Sequence, residues 1–457
     1  MKRFIIFLLF VLTIFMVSCT KIQNTPASYE NPSYKISEIF NQKLGFNYTY
    51  QKASLDNDSK KLFISLKDED EKKLLLYEYL LKSTPSESTL TNLRNIPYTS
   101  DSNILALGAV NGNPWFIYTT ITIQGKYLTF SYYNSNGWHN VDLLSACNLT
   151  SPYKYLFDIF YNQNTVLLSF YNEKKYCVIK ISENAYNINC YNIPTPKDNI
   201  EIYLTLDAYF YENNVYILQS YTYNYYSLIS IDVIPRIVAF FKREESEAIS
   251  NSILKSQDYL YITSYKDKNL VLYKANLTTN TLASSTINIP IPDWAYPTGS
   301  DILLENSGKI WNFFEVIYEN VVLSTSKSIF YTIYDPKTKE TTSATPAIMW
   351  YSTYWVEYQD YDFHTCGYGI DSEQNVWFHI LGQDLSFSPH RENSNIAVYS
   401  SNGNRIATLP PEAVAFQPGN TFEYFTLLDG DFKNTAILLF KDQNEMQNIS
   451  FLKLLKE

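Results

Sequence analysis

A unit of about 50 residues recurs along most of this 457-residue chain, and the recurrence constrains its fold more than any other feature. Each copy contains a short strand-like segment that follows a polar turn. Eight such segments occur, and consecutive ones begin 45 to 66 residues apart. A regular period of this length is typical of architectures in which each copy is one supersecondary unit. The eight segments are Lys61-Leu62-Phe63, Asn113-Pro114-Trp115, Thr165-Val166-Leu167, Asn214-Val215-Tyr216, Tyr259-Leu260-Tyr261, Lys309-Ile310-Trp311, Asn375-Val376-Trp377 and Ala436-Ile437-Leu438.

A second recurring feature is a segment that ends in tyrosine and is followed by a tight turn and a further strand-like segment. It occurs at Tyr133, Tyr273, Tyr334 and Tyr399, with Asn, Gly, Asp or Pro in the turns. These residue types supply the positive or preset φ angles of tight hairpins. The 41 Tyr and 27 Phe, against 13 Gly, favour pleated strands over helices. Together the two features predict an all-β fold, a single β-propeller of four-stranded antiparallel blades.

The number of copies favours eight blades, and a seven-bladed ring with one irregular insertion is the alternative. The last unit, Thr421 to Leu455, has room for three strands. The segment Tyr34 to Phe40 would supply the fourth strand and close the ring, which removes exposed sheet edges. Two segments, Asp68 to Lys82 and Arg243 to Lys255, remain open to a helical interpretation.

Two of the units resemble bacterial propeller repeats of the two-component-regulator and NHL type. Glu305-Asn-Ser-Gly308-Lys-Ile-Trp311 is similar to the acidic, glycine and tryptophan pattern of those blades. Ile370-Asp-Ser-Glu-Gln-Asn-Val-Trp377 is similar to a second copy, with Gln374 where glycine is usual. The resemblance implies structural roles: Gly308 would form a turn, and Trp311 and Trp377 would pack between blades. It implies no activity.

The N-terminus has the pattern of a secretory signal peptide over residues 1–18, with Lys2 and Arg3 before an apolar run from Phe4 to Val17. A run of this length is too short to span a bilayer as a helix, which needs about 20 residues. Met16-Val17-Ser18-Cys19 resembles the lipobox of bacterial lipoproteins, in which the cysteine is acylated and becomes the mature N-terminus. An ordinary signal peptide with an incidental Cys19, and an uncleaved anchor, are the alternatives.

Residues 19–33 are polar and contain two prolines, so we predict a disordered, lipid-anchored tether. By random-coil scaling its reach is on the order of 20 Å. The propeller domain is then residues 34–457. The predicted location is extracytoplasmic, on the outer membrane or the cell surface or in the periplasm, with the N-terminal lipid in the membrane.

The charge of the chain disfavours a nucleic-acid partner. The formal net charge is -10, and removal of Lys2 and Arg3 with the signal peptide makes it more negative. Nucleic-acid binding depends on basic patches that neutralise phosphates, and the sequence contains no basic stripe.

Four cysteines remain after Cys19, and two of them fall in one predicted hairpin. If Ser182 pairs with Ala185 across the turn, Cys177 lies directly opposite Cys190. Opposed residues in antiparallel strands have Cα atoms roughly 4.5 to 5.5 Å apart, which suits a disulfide. Two reduced buried thiols are the alternative. Cys147 and Cys366 are too far apart in sequence to judge.

The sequence contains no recognisable catalytic set, and we predict no catalytic residue, no metal and no cofactor. It lacks the HExxH and CxxC motifs and a phosphate-binding glycine loop. His364-Thr-Cys366 is a lone close His/Cys pair, which is as compatible with packing as with a metal. The acidic run Asp68 to Glu71 is interpreted as a solvated turn.

Two long connections rich in aromatic residues are the candidate ligand-binding face. In a propeller, the connection from one blade's outer strand to the next blade's inner strand crosses the face that commonly binds ligands. Aromatic rings beside carboxylates suit a sugar ring or a peptide, although packing between blades is the alternative. The candidate residues are Trp294, Tyr296, Trp350, Trp355, Tyr358, Asp360, Asp362 and His364.

We therefore favour a membrane-anchored binding or scaffold protein that holds a protein, peptide or glycan on one propeller face. One alternative is a carbohydrate-active enzyme, which needs two carboxylates roughly 5 to 10 Å apart; Glu357, Asp360 and Asp362 are its candidates. Another is an architectural subunit of an envelope assembly complex, which rests on fold analogy alone.

Overall fold

The computed structural model describes most of the chain after residue 33, and its described part is almost entirely β-structure. The described residues contain 33 strands, one short helix, Leu143–Ala146, and one 3-10 turn, Thr222–Asn224. None of the helices among these residues is long and apolar enough to cross a membrane. The described ranges are 34–46, 48–68, 70–71, 73–82, 84–85, 89–97, 102–122, 125–149, 157–197, 200–244, 247–266, 269–288, 295–319, 325–342, 345–348, 361–384, 391–408, 420–428 and 432–456.

The strands form eight antiparallel sheets, and these are the blades of a β-propeller. The first three blades follow the chain without exception, each from its innermost to its outermost strand. Blade 1 contains β2 (Tyr48–Asp56), β3 (Lys61–Asp68), β4 (Lys73–Leu80) and β5 (Thr89–Pro97). Blade 2 contains β6 (Asn103–Val110), β7 (Asn113–Thr122), β8 (Gly125–Asn134) and β9 (Gly137–Asp142). Blade 3 contains β10 (Phe157–Tyr161), β11 (Thr165–Phe170), β12 (Lys175–Ile181) and β13 (Tyr186–Asn192).

Blades 4 to 7 continue in the same order, and the outermost strand of blade 6 is divided in two. Blade 4 contains β14 (Ile202–Tyr211), β15 (Asn214–Tyr221), β16 (Tyr225–Ile231) and β17 (Pro235–Lys242). Blade 5 contains β18 (Glu247–Ser256), β19 (Tyr259–Lys266), β20 (Asn269–Asn276) and β21 (Leu282–Asn288). Blade 6 contains β22 (Ala295–Asn306), β23 (Lys309–Glu319), β24 (Thr325–Asp335), β25 (Glu340–Thr341) and β26 (Thr345–Ile348). Blade 7 contains β27 (Tyr361–Ile370), β28 (Val376–Asp384), β29 (Arg391–Tyr399) and β30 (Arg405–Thr408).

Blade 8 joins the two ends of the described chain. Its strands are β31 (Thr421–Leu428), β32 (Thr435–Lys441), β33 (Met446–Lys456) and β1 (Tyr34–Phe46), from innermost to outermost. The pairing of β1 with β33 starts at Tyr34 opposite Lys456. The prediction that the N-terminal segment supplies the fourth strand is therefore confirmed, as is the preference for eight blades.

The recurring segments of the sequence coincide with equivalent strands. Each of the eight segments marks the second strand of a blade, which begins at or within one residue of it. The helical interpretation of two segments was wrong, because β4 lies within Asp68 to Lys82 and β18 covers most of Arg243 to Lys255. In β4 the consecutive residues Leu74, Leu75 and Leu76 are all buried, because both faces of the sheet are covered by neighbouring blades.

The core lies between successive blades rather than in one central cluster. The second strands are buried along nearly their whole length, as in β11 and β15, because each sheet is covered by a neighbour on both faces. Trp311 packs with Tyr399 of blade 7, and Trp377 packs among residues of blade 8. Gly308 adopts a positive φ of 79° in the turn before Trp311. These positions agree with the structural roles that the propeller-repeat resemblance implied.

The strand directions define two faces of the ring. Each innermost strand begins on the face where the chain crosses from one blade to the next, which we term the crossover face. The turns that join first to second strands and third to fourth strands lie on the other side, which we term the opposite face. Because β1 runs antiparallel to β33, Tyr34 lies on the opposite face.

Candidate functional site

The innermost strands surround the axis of the propeller, and nearly all of them are irregular there. Seven of the eight show a register shift against the second strand of their blade. A β-bulge bends its strand and redirects a side chain, and such bulges are frequent beside functional sites. The irregularity therefore falls on the strands that line the central channel.

Polar side chains bind the backbone at several of these shifts. The Ile253 amide of β18 donates to Asp207 Oδ2 of the neighbouring blade, over 2.8 Å. Asp158 has a backbone hydrogen bond with Thr205 of β14. Within blade 1, the Lys52 amide donates to Ser65 Oγ over 3.0 Å. Because unpaired amides away from water are costly, these contacts stabilise the irregular backbone.

Three tyrosines of innermost strands lie near one another, and we term them the tyrosine cluster: Tyr50 of β2 and Tyr424 of β31, from the neighbouring blades 1 and 8, and Tyr161 of β10, from blade 3. Burial raises the pKa of Tyr50 well above its usual value, and Tyr424 and Tyr161 are close enough to contribute electrostatically. Burial also raises the pKa of Tyr424 to about 12. Blade 2 separates blade 3 from blades 1 and 8, so Tyr161 approaches the other two tyrosines at the central space, while Tyr50 and Tyr424 also pack against the core between blades 8 and 1.

A carboxyl group and two further tyrosines approach one another from blades 4 and 7. Blades 5 and 6 lie between these two blades, so the groups approach one another at the central channel. Burial raises the pKa of Tyr368 in β27 to about 12, and the charges of Asp207 and Tyr209 in β14 add to the shift. Tyr368 nevertheless keeps 44% of its surface exposed. Tyr368 is therefore reachable by small molecules but surrounded by protein on most sides. Such surroundings are expected for a side chain that faces an enclosed channel. Burial also raises the pKa of Asp207 to about 6.

The turn between β10 and β11 extends across two other blades. The Gln163 side chain donates to the Leu55 carbonyl of blade 1 over 2.8 Å, and the Gln163 carbonyl accepts from Trp115 Nε1 of blade 2 over 2.7 Å. Blades 1, 2 and 3 are thereby fixed to one another at the opposite face. The two hydrogen bonds of Gln163 therefore fix the part of the channel wall that blades 1, 2 and 3 form.

The chemistry of the channel suits binding more than acid–base catalysis. The tyrosine hydroxyls stay protonated at neutral pH, so they offer hydrogen-bond donors beside apolar ring faces. The pKa of Asp158, like that of Asp207, is raised mainly by burial. Both carboxylates, however, accept a hydrogen bond from a backbone amide of a neighbouring blade. This structural role is sufficient to explain why carboxylates occur in the channel.

The residues predicted to form the ligand-binding face fall mostly outside the described residues. Tyr296 lies near the start of β22, and Asp362 and His364 lie near the start of β27, so the backbone places these three on the crossover face of neighbouring blades. The structure describes only the backbone at these three positions. The remaining predicted residues, together with Glu357 and the lipidation residue Cys19, lie outside the described residues: Trp294, Trp350, Trp355, Tyr358 and Asp360.

The predicted hairpin of blade 3 has the expected register. Cys177 pairs with Cys190, their Cα atoms are 4.2 Å apart, and their sulfur atoms are joined in a disulfide. The sulfur of Cys147 belongs to the same group, since all three lie within 4.8 Å of one another. Burial raises the pKa of the Cys147 thiol to about 12. With two sulfurs bonded to each other and the third protonated, this group does not present the thiolates that a metal requires.

The tyrosine cluster and Asp207 were not among the residues predicted from the sequence. A usable signal existed, because all of these residues precede the second-strand segment of their unit and therefore lie on the innermost strand. What the sequence could not show is which innermost-strand residues point inward, since the register shifts reverse the normal alternation.

No family model and no curated protein matches the sequence. Solved propeller structures are similar to it at low identity. The WD40 domain of coronin from Toxoplasma gondii is 8% identical over 77% of this chain and 81% of that chain, with a TM-score of 0.41. The β-propeller domain of the Trilobed protease from Pyrococcus furiosus is 10% identical over 78% of this chain and 94% of that chain, with a TM-score of 0.39.

A third similar structure is the α-L-arabinanase from Penicillium chrysogenum complexed with arabinobiose. It is 8% identical over 90% of this chain and 98% of that chain, with a TM-score of 0.34. At these identities and scores, the fold assignment rests on the strand pairing of the chain itself, and the comparisons indicate no activity.

Proposed function

We propose that this protein is a lipid-anchored extracytoplasmic binding or scaffold protein that holds a peptide, protein or glycan segment at its central channel and crossover face. The observation that carries the proposal is the approach of Tyr368 of blade 7 to Asp207 and Tyr209 of blade 4, with Tyr161 of blade 3 close to Tyr50 and Tyr424 of blades 1 and 8. Tyr50 and Tyr424 also pack against the core between blades 8 and 1, whereas Tyr368 extends toward the non-adjacent blade 4. Tyr368 does so while remaining accessible.

The side chains in the channel favour a neutral or cationic ligand that presents both apolar and hydrogen-bonding surface. Tyrosine rings bury apolar area, and their hydroxyls bind the edges of sugars or peptide groups. Asp207 and Asp158 would disfavour an anionic ligand once they are ionised. The predicted aromatic connections before β22 and β27 would extend this surface on the crossover face.

The binding part of the proposal is tested with the soluble Cys19→Ser chain and two kinds of probe: neutral hexasaccharides (cellohexaose, chitohexaose and mannohexaose) and a pool of unstructured dodecapeptides. Isothermal titration calorimetry measures the affinity of any probe that binds. We expect Tyr368→Ala to weaken that binding at least ten-fold. Tyr133→Ala is the matched control, because Tyr133 is 37% exposed at the end of β8, on the opposite face and outside the channel.

Two results would contradict a channel-binding function. One is that neither class of probe binds; the other is that Tyr133→Ala weakens binding as much as Tyr368→Ala does. The anchor is tested separately in the full-length chain by metabolic labelling with an alkyne-bearing fatty acid. We expect Cys19→Ser to abolish the label and to move the protein from the membrane to the soluble fraction.

A further inference from the structure

Four exposed apolar side chains lie on the opposite face of three consecutive blades. Val233 and Ile234 form the tip of the turn between β16 and β17 and are 75% and 65% exposed. Tyr133 at the end of β8 and Tyr186 at the start of β13 are also exposed. We term these four residues the apolar rim. Clustered exposed apolar groups mark surfaces that contact a partner or a membrane.

The equivalent turns of the following blades are polar. Blade 5 has Thr278 and Thr279 there, blade 6 has Lys337 and Lys339, and blade 7 has Asn402 and Asn404. Turns between strands ordinarily carry such residues, because they compete well for water and for local hydrogen bonds. The adjacent apolar pair in blade 4 is therefore not a requirement of the fold.

The apolar rim is held in place by local contacts. Asp232 Oδ1 accepts from the Val233 amide over 2.6 Å, which fixes the turn with both apolar side chains outward. Tyr186 packs edge-on against Tyr132 of blade 2, with centroids 5.0 Å apart, and Tyr133 packs edge-on against Trp138, with centroids 5.4 Å apart, so both exposed rings are held against blade 2. Lys180 Nζ of blade 3 donates to the Asn213 carbonyl of blade 4 over 2.8 Å, which links the next two blades.

The N-terminal strand begins on the same face as the apolar rim. Tyr34 pairs with Lys456 at the end of β33, where the third strand of blade 8 reaches the opposite face. Fourteen residues lie between Cys19 and Tyr34, and by random-coil scaling their reach is on the order of 20 Å. A lipid on Cys19 would therefore draw the opposite face, and not the crossover face, toward the bilayer.

We propose that the opposite face rests on the membrane surface, with Val233 and Ile234 in the headgroup region and Tyr133 and Tyr186 beside them. This inference rests on the lipid anchor of the proposed function and adds the orientation of the domain. Tyrosine side chains favour the membrane–water interface, because one end of the ring is apolar and the other polar. The crossover face and its binding residues would then point away from the bilayer.

The charges around the apolar rim favour a zwitterionic membrane over an anionic one. Lys180 and Arg236 are accompanied by Glu183, Asp232 and Glu212, so the local charges nearly cancel. The whole chain carries a net charge of -10, which anionic lipids would repel. Contact through the rim should therefore depend little on salt.

The test uses the full-length lipidated protein, reconstituted in phosphatidylcholine vesicles, with an environment-sensitive fluorophore on Val233→Cys. Tyr223→Cys on the crossover face is the matched control, and the protein without an introduced cysteine gives the background. We expect a blue-shifted emission at position 233 and quenching by spin-labelled lipid several-fold stronger than at position 223. Adding Ile234→Asp to the labelled variant should reduce that quenching at least two-fold.

The outcomes separate the orientation from the anchor. If the protein floats with the vesicles but the two positions are quenched equally, the orientation is wrong and the anchor stands. If the probe at position 233 is shielded only after other envelope proteins are added, the rim binds a protein, and the membrane contact is likewise wrong. If the chain carries no lipid and does not float, the anchor fails, and the orientation fails with it.

Discussion

At the scale of single residues, the channel places ionisable groups where water is scarce. Asp207 is the clearest case, because its carboxylate is desolvated yet holds the Ile253 amide of the next blade. Its pKa in the folded protein, about 6, lies above the unfolded value near 4. Folding therefore takes up a proton between these values. The contribution of this carboxyl group to stability falls as the pH rises from about 4 to 6 and stays low above that range.

Replacing Asp207 with asparagine should remove this pH dependence. The amide oxygen of Asn can still accept from Ile253, while the buried charge is gone. We expect Asp207→Asn to be more stable than the wild type by roughly 1–2 kcal/mol at neutral pH, and the difference to vanish near pH 4. Urea unfolding at several pH values measures it. A difference that persists at low pH, or that also appears in the exposed control Asp258→Asn, would contradict the explanation.

At the scale of strands, the sequence predicted the second strands of all eight blades but not the details of the innermost ones. Trp311 and Trp377 could be assigned to packing between blades because local patterns mark them. The channel residues could not be assigned, because the register shifts in strands such as β14 and β27 depend on contacts with neighbouring blades. The disulfide partners were predictable, since the two strands of their hairpin are adjacent in sequence.

Two glycines of β27 provide a test of how closely innermost strands approach. A Cβ on Gly367 would lie 2.9 Å from Phe425 Cδ1 and 3.2 Å from the Phe425 carbonyl oxygen of β31. A Cβ on Gly369 would instead meet the tip of Leu427, at 2.7 Å from Cδ1. The Leu427 tip can rotate away, whereas the backbone oxygen can move only with the strand.

We therefore expect Gly367→Ala to destabilise the protein by about 1–3 kcal/mol, because overpacking there shifts β31 against β27. Gly369→Ala is the matched variant and should cost less. Chemical denaturation of the two variants in parallel measures the difference. Equal losses would mean that the spacing of blades 7 and 8 is not limited by the backbone contact at Phe425.

At the scale of the whole molecule, the ring depends on one strand from the other end of the chain. Ile36 of β1 is fully buried among residues of blades 7 and 8, whereas Ile39 on the same strand is 41% exposed. The Ser450 hydroxyl of β33 also donates to Glu38, 412 residues away in sequence. Stability of the closing blade therefore depends on a few residues just after the predicted tether.

Two charged substitutions in β1 should distinguish a loss of ring closure from the effect of a new charge on the surface of the strand. Ile36→Asp places an unpaired carboxylate in the core, and we expect it to destabilise the protein by at least about 3 kcal/mol and to speed hydrogen exchange in β33. Ile39→Asp, on the exposed side of the strand, should change stability by less than about 1 kcal/mol. If both variants keep the exchange rates of the wild type, β1 does not hold the ring closed.

The pairing of β1 with β33 also sets an order of events during biosynthesis. The first strand to be made is among the last to pair, because its partner is completed only when residues 446–456 have been synthesised. Until then, β1 is an unpaired edge that invites contact with other chains. In a growing chain this strand thus stays without its partner until almost the last residue has been added, so ring closure comes at the end of folding and not at its start.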